Sequence, residues 1–223
     1  MAPTLLPSPA ADKPRPAPSV LAVIGSQLRP HVGRIADPLV NKLLAWGVSP
    51  DAVTLTGTVG VVSAALVFFP RGWFFVGTLV ITFFVLTDTI DGALARKRGT
   101  TSAFGGWLDS TCDRIADGAI FGALALWYAD NDVLLPVTLF VLVASQVISY
   151  EKARAEGVGL TCEVGIMDRP ARLIIGLVAA GLTGLGIPEV LLKGALWVLA
   201  VLSAVTMVQR MLEVRRQAQL AAR

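Results

Sequence analysis

Six apolar segments, each near the length that crosses a bilayer, follow one another along this chain, so a helical membrane bundle is the fold to expect. They fall at roughly 52–69, 72–95, 104–128, 133–155, 170–186 and 189–212. About 20 mainly apolar residues cover a ~30 Å hydrocarbon core. Five of the segments read as spans at once, and the sixth joins them when polar residues are allowed at helix ends. The separators are Pro70-Arg71-Gly72, Arg98-Gly99-Thr100-Thr101, Asp130-Asn131-Asp132, the longer stretch 157–169 and Gly186-Ile187-Pro188. Links this short predict antiparallel neighbours. A mean hydropathy of +0.68 with only 16% charged residues means that much of the surface must face lipid. The expected fold class is therefore all-α integral membrane, a six-transmembrane-helix bundle over 47–216. No internal repeat is evident, which weighs against an inverted-repeat transporter.

Ahead of the bundle, residues 1–19 are rich in proline and alanine, carry Lys13 and Arg15, and lack the apolar core of a secretory signal. They read as a disordered tail. Residues 20–46 alternate apolar positions with Arg29, Arg34 and Lys42. This predicts an N-terminal amphipathic juxtamembrane helix on the membrane surface, broken near Pro30 and Pro38. Gly47 closes it, and Ser49-Pro50-Asp51 opens the first span with a cap residue, a first-turn proline and an early acid. Residues 217–223 read as a tail.

The Lys and Arg residues set the orientation. One side collects the N-terminal basics with Arg96, Lys97, Arg98, Lys152, Arg154, Arg169, Arg172, Arg210, Arg215, Arg216 and Arg223; the other holds Arg71 and Lys193. The rich side should be cytoplasmic, with both termini there. The net charge of +3 follows from this topology and does not point to nucleic acid. Cys112 and Cys162 stand far apart in no ligand pattern, and Cys112 reads as a small packing residue within a span. His31 is the single histidine, too little for a metal site, and reads as interfacial.

The chemistry lies in the stretch from Asp88 to Asp113. Residues three or four apart share a helix face, so Asp88 and Asp91 pair on the second span and Asp109 and Asp113 on the third. At ~1.5 Å per residue, Asp88 and Asp91 sit about 5–12 Å from the cytoplasmic end of their span, and the other pair enters from the same side to a similar depth. Four carboxylates thus meet beneath the headgroups. One acid at the centre of a span costs about 2.5–3.5 kcal/mol on insertion scales, and four together repel one another unless cations neutralise them. Two divalent ions cancel four carboxylates, and all-oxygen ligation suits Mg²⁺ first and Mn²⁺ second. Gly92, Ala95, Gly105 and Gly106 add small residues that let a backbone or a planar base come close. A carboxylate cage beside small residues reads as a pocket for a metal-bound phosphate.

Asp88, Asp91, Gly92, Ala95, Arg96, Gly105, Asp109 and Asp113 together match the signature of the CDP-alcohol phosphotransferases at every fixed position. The chain resembles that family. The resemblance implies six transmembrane helices, a homodimer, and a metal-filled polar cavity open to the cytoplasm. It implies that Asp88, Asp91 and Asp109 hold one metal and that Asp88, Asp109 and Asp113 hold the second, with Asp113 also the general base. It places Gly92, Arg96, Ser102 and Gly105, together with Val53, Thr54 and Thr56, against the CDP-lipid donor. Ser102 departs from the threonine often found at that position. Asp117 lies outside the motif and reads as a polar cavity-wall residue.

A second cluster bears on the acceptor. Ser149-Tyr150-Glu151-Lys152-Ala153-Arg154-Ala155-Glu156 followed by Arg169-Pro170-Ala171-Arg172 resembles the bacterial phosphatidylinositol phosphate synthases within the same superfamily. That likeness, strong over about 48–175, implies CDP-diacylglycerol as donor and 1D-myo-inositol 3-phosphate as acceptor, in a bacterial plasma membrane. Ser149, Lys152, Arg154, Arg172 and Arg210 would then cradle the acceptor phosphate, a task suited to arginine's bidentate geometry. A phosphatidylglycerol phosphate synthase using glycerol 3-phosphate is the nearest rival. A cation or proton transporter is the rival of another class.

Overall fold

The computed structural model describes residues 42, 44–99 and 102–221, with the backbone alone at 87–93, 96 and 98. The expected tail 1–19 lies outside the described residues, as does nearly all of the amphipathic stretch 20–46, His31 included.

The described part is helical. We number its long helices α1 (Pro50–Phe68), α2 (Phe74–Arg98), α3 (Ala103–Trp127), α4 (Leu134–Gly157), α5 (Arg169–Gly184) and α6 (Val190–Ala221), with a short 3₁₀ turn at Phe69–Arg71. Three of these starts share one device, a side chain that takes up a free amide of the first turn. Ser49 Oγ accepts from the Ala52 amide at 3.2 Å, Ser102 Oγ from Gly105 at 2.9 Å, and Asp168 Oδ1 from Ala171 at 2.9 Å. Proline follows the cap within the first two positions of α1 and α5, where no amide hydrogen is needed.

Among the described residues, the extensive helix contacts run α1–α2, α2–α5, α5–α6, α6–α4, α4–α3 and α3–α1, which closes a ring. Three short links join packed neighbours, as expected. The link between α2 and α3 does not: each of these helices packs chiefly on α1 instead. Among the described residues, the two aspartate-bearing helices are thus both held against α1. Phe121 of α3 reaches Gly176 of α5, so one side chain links two helices that are not neighbours in the ring.

Apolar side chains are found on the outside as well as in the core. Leu55, Val59, Phe83, Val143, Val178 and Val201 are all exposed, a pattern that water does not tolerate over so wide a surface and lipid does. By length and composition, Pro50–Arg71, Leu134–Gly157 and Val190–Ala221 are able to cross a membrane. The first fifteen residues of α3 carry Asp109, Asp113, Arg114 and Asp117, and α5 has only 16 residues, so neither has the bare apolar profile of a span. Helix α6 runs well beyond its apolar stretch to Ala221. Its last turns are held by Gln217, whose Nε2 donates to the Thr161 carbonyl at 2.8 Å while its Oε1 accepts from the Thr161 amide at 3.1 Å.

Candidate active site

The starts of α1, α3 and α5 converge at one end of the ring. A Cβ placed on Gly105 would lie 3.3 Å from Ser102 Oγ and 3.8 Å from Asp51 Oδ1, so the first turns of α1 and α3 touch there. One and two turns deeper on α3 come Asp109 and Asp113, both half-buried. Asp113 shares a narrow pocket with Thr54, Thr58 and Val61 of α1, Phe84 and Val85 of α2, and Arg169 of α5. The Thr54 hydroxyl donates to the Pro50 carbonyl at 3.2 Å, and that of Thr56 to Ala52 at 2.7 Å. Val53 is half-buried beside them and Thr56 is exposed. The structure thus brings Thr54, expected on the donor, into the same recess as Asp113.

The side chains of Asp88, Asp91, Gly92 and Arg96 lie outside the described residues. Their backbone belongs to α2, seven to ten residues before its end for the two aspartates, or about 10–15 Å along the axis. Asp109 and Asp113 stand six and ten residues into α3, at a matching level across the short link. The donor set that is described, two carboxylates one turn apart with Asp109 within electrostatic reach of Asp113, is hard oxygen and suits Mg²⁺ or Mn²⁺.

Sequence reading missed Arg169 as a site residue. Its Nη2 lies 2.7 Å from Asp113 Oδ1 and its Nε 3.1 Å from Asp117 Oδ1. Arg114 Nη2 approaches Asp117 Oδ2 at 3.4 Å and Asp113 Oδ2 at 3.8 Å. Asp117 is only 1% exposed, so it lies beneath the pocket and not on its wall. A signal was present: Asp109, Asp113 and Asp117 recur every four residues down one face of α3, and an arginine locked between a cap and a proline has a fixed point of departure.

The acceptor cluster divides. Arg172 is 1% exposed; its Nη1 donates to the Met167 carbonyl at 3.1 Å, and its Nε, fully shielded, has no hydrogen-bond partner among the described residues. Asp117, Arg114, Arg210 and Arg169 surround it within electrostatic range. Arg210, also buried, donates from Nε to Val164 O at 3.0 Å and from Nη1 to Ile148 O. Arg154 is exposed and shares with Arg210 a groove between α4 and α6. Lys152 is exposed and 3.9 Å from Glu156. Ser149 Oγ donates to Ser145 O at 3.0 Å. Arg172 and Arg210 thus sit inside the bundle, whereas Lys152 and Arg154 stand at its rim.

This fold and site define a class. The sequence profile of the CDP-alcohol phosphatidyltransferases matches residues 47–209, and the chain belongs to that family of transferases. Among its relatives is the phosphatidylinositol phosphate synthase of Streptomyces avermitilis, 51% identical over 94% of this chain and 90% of that protein. The synthase of the same name from Mycobacterium tuberculosis strain H37Rv is 48% identical over 82% of this chain and 87% of its own length. Two crystal structures of the M. tuberculosis synthase superpose closely. The complex with manganese and citrate gives a TM-score of 0.78 at 47% identity, covering 80% of this chain and 88% of that one. The structure with CDP-DAG bound gives 0.77 at 46% identity, covering 81% and 94%.

Proposed function

We propose that the protein transfers the phosphatidyl group of CDP-diacylglycerol to inositol phosphate, giving phosphatidylinositol phosphate and CMP. The observation that carries this reading is Arg172: a guanidinium closed off from solvent, within electrostatic range of Asp117, whose Nε has no hydrogen-bond partner among the described residues. A buried donor without an acceptor costs about 1–3 kcal/mol, and an acceptor substrate that brings its own phosphate removes that cost. The names of the relatives and the CDP-DAG found in one of their structures support the same substrates.

Asp88, Asp91, Asp109 and Asp113 would hold two Mg²⁺ ions, with Mn²⁺ able to substitute; the manganese in a relative's structure supports the metal type. Bound there, such ions neutralise the donor's pyrophosphate and the CMP that departs. Val53, Thr54 and Thr56 of α1, Gly92 and Arg96 of α2, and Ser102 and Gly105 at the start of α3 hold the nucleotide end of the donor. Ser149, Lys152, Arg154, Arg172 and Arg210 hold the acceptor phosphate. Asp113 takes the proton of the attacking hydroxyl as its oxygen bonds to the lipid-side phosphorus and the bond to CMP breaks. The reading includes a homodimer in a bacterial plasma membrane, six spans per copy, with active site and termini on the basic, cytoplasmic side.

The test offers the purified chain CDP-diacylglycerol and Mg²⁺ with inositol phosphate, inositol, glycerol 3-phosphate or serine separately, and measures CMP. Release with inositol phosphate alone is expected. Release with glycerol 3-phosphate in its place would move the protein to the phosphatidylglycerol phosphate synthases.

A further inference from the structure

Asp113 is not alone in its pocket. Arg169 reaches it from the first residue of α5, a position made rigid by the Asp168 cap before it and Pro170 after it. The same guanidinium is held from behind by Asp117, which is buried and is also approached by Arg114. The arrangement is asymmetric. Asp117 is the enclosed end, at 1% side-chain exposure, and Asp113 the pocket end, at 19%. Asp109, within electrostatic reach of Asp113, adds a third carboxylate to this face of α3.

We infer that Arg169 is a positioning residue that sets both the orientation of Asp113 and its affinity for a divalent cation, and that Asp117 sets how strongly Arg169 engages Asp113. This rests on the metal and base roles proposed for Asp113. A guanidinium 2.7 Å from a carboxylate oxygen orients that oxygen. It also opposes any second cation that approaches the same carboxylate. Asp117, accepting from Nε, limits that opposition by drawing part of the arginine's charge to itself. The pair Arg169–Asp117 therefore tunes the site in two directions: removing the arginine strengthens cation binding, and removing the anchor weakens it. A network serving only to pack α3 against α5 has no such sign dependence, because either break loosens the same contact.

The experiment titrates Mn²⁺ into the full chain in detergent, without donor lipid, and follows free Mn²⁺ by electron paramagnetic resonance. Arg169→Gln should lower the Mn²⁺ Kd at least threefold, Asp117→Asn should raise it at least threefold, and Arg169→Lys should stay within twofold of the unaltered protein. In turnover, Arg169→Gln should lower kcat at least tenfold with little change in KM for CDP-diacylglycerol. If Asp117→Asn does not fold, the Gln and Lys variants at 169 decide by themselves. Shifts of Kd in the same direction for both charge-removing variants, or shifts within twofold for both, would overturn the inference. Asp113→Asn separates this from the reading beneath it. If that variant binds Mn²⁺ as the unaltered protein does, the metal assignment fails and the inference falls with it. If binding depends on Asp113 while the two variants move together, only the inference fails.

Discussion

Arg210 of α6 donates through Nε to the Val164 carbonyl and through Nη1 to that of Ile148, so one side chain ties α6 to both the 158–168 loop and α4. The Val164 carbonyl lies in an irregular loop, and that of Ile148 in the body of α4, nine residues before its end. Hydrogen bonds to a charged partner contribute about 1.5–3 kcal/mol each. Arg210→Ala should therefore cost about 3 kcal/mol of stability, seen as a lower thermal midpoint in detergent, alongside lost activity. Lysine, a single point donor, should not restore it. Arg154→Ala, at the exposed rim of the same groove, should leave the midpoint unchanged.

At Gly184, near the end of α5, the backbone of α2 comes close. A Cβ there would lie 2.1 Å from the Phe75 backbone nitrogen, and backbone cannot swing aside as a side chain can. Gly184→Ala should force the helices apart at a cost of about 3 kcal/mol or more, with little folded protein recovered. Gly194→Ala meets nothing within 4 Å and sits on α6, where alanine favours the helix. It should be neutral or mildly stabilising in the same thermal assay.

Much of this architecture was legible in the sequence because the signals are local. Apolar length placed all six helices to within a few residues at most ends, and Ser49 and Asp51 marked the start of α1. The i,i+4 spacing put Asp109 and Asp113 on one face, and the pocket that Asp113 shares with Thr54 follows from α1 packing on α3. Long-range partnerships were not legible. Arg169 meets Asp113 and Asp117 across more than fifty residues, and no periodicity encodes which arginine on a basic side turns inward. The family resemblance groups Lys152 and Arg154 with Arg172 and Arg210, and it does not encode that two stand at the rim and two inside. The end of α6 was read short because its polar face resembles a tail until Gln217 is seen bound to Thr161.

Burial also decides how the two cysteines behave. Cys162 has no exposed surface and Cys112 only 5%, and both are free thiols. Cys162 lies in the loop between α4 and α5, where burial is the largest influence and pushes its thiol pKa up, away from the reactive thiolate. Neither should react with iodoacetamide at neutral pH in the folded protein. Denaturation should expose both, giving two alkylations by mass spectrometry.

Arg172 and Arg154 separate two kinds of contact with a phosphorylated acceptor. Arg172 offers an enclosed, unpartnered Nε, so its charge is little screened and its loss leaves the phosphate with no equal substitute. Arg154 is exposed and its charge is screened by water and salt. Arg172→Ala should raise the KM for inositol phosphate by ten- to a hundredfold, and Arg154→Ala by only a few fold. Both should leave the KM for CDP-diacylglycerol nearly unchanged. Equal effects on the two substrates would place these arginines outside the acceptor's reach.

Metal removal bears on the aspartates directly. Without a divalent cation, Asp113 is left, among the described residues, with Arg169 and Arg114 as counter-charges, and a guanidinium, although it can sit between two anions, does not supply the Lewis acidity that draws charge off a pyrophosphate. EDTA should therefore stop CMP release completely, and Mg²⁺ or Mn²⁺ should restore it, with Ca²⁺ a poor substitute because its larger coordination shell holds the reacting groups less tightly. Asp113→Asn keeps the shape of the side chain but removes both its negative charge and its ability to take a proton. It should lower kcat by about 10²–10⁴-fold while CDP-diacylglycerol, measured by binding of labelled lipid, still binds. Turnover that survives either chelation or this substitution would mean that the carboxylates of α3 serve the fold and not the reaction.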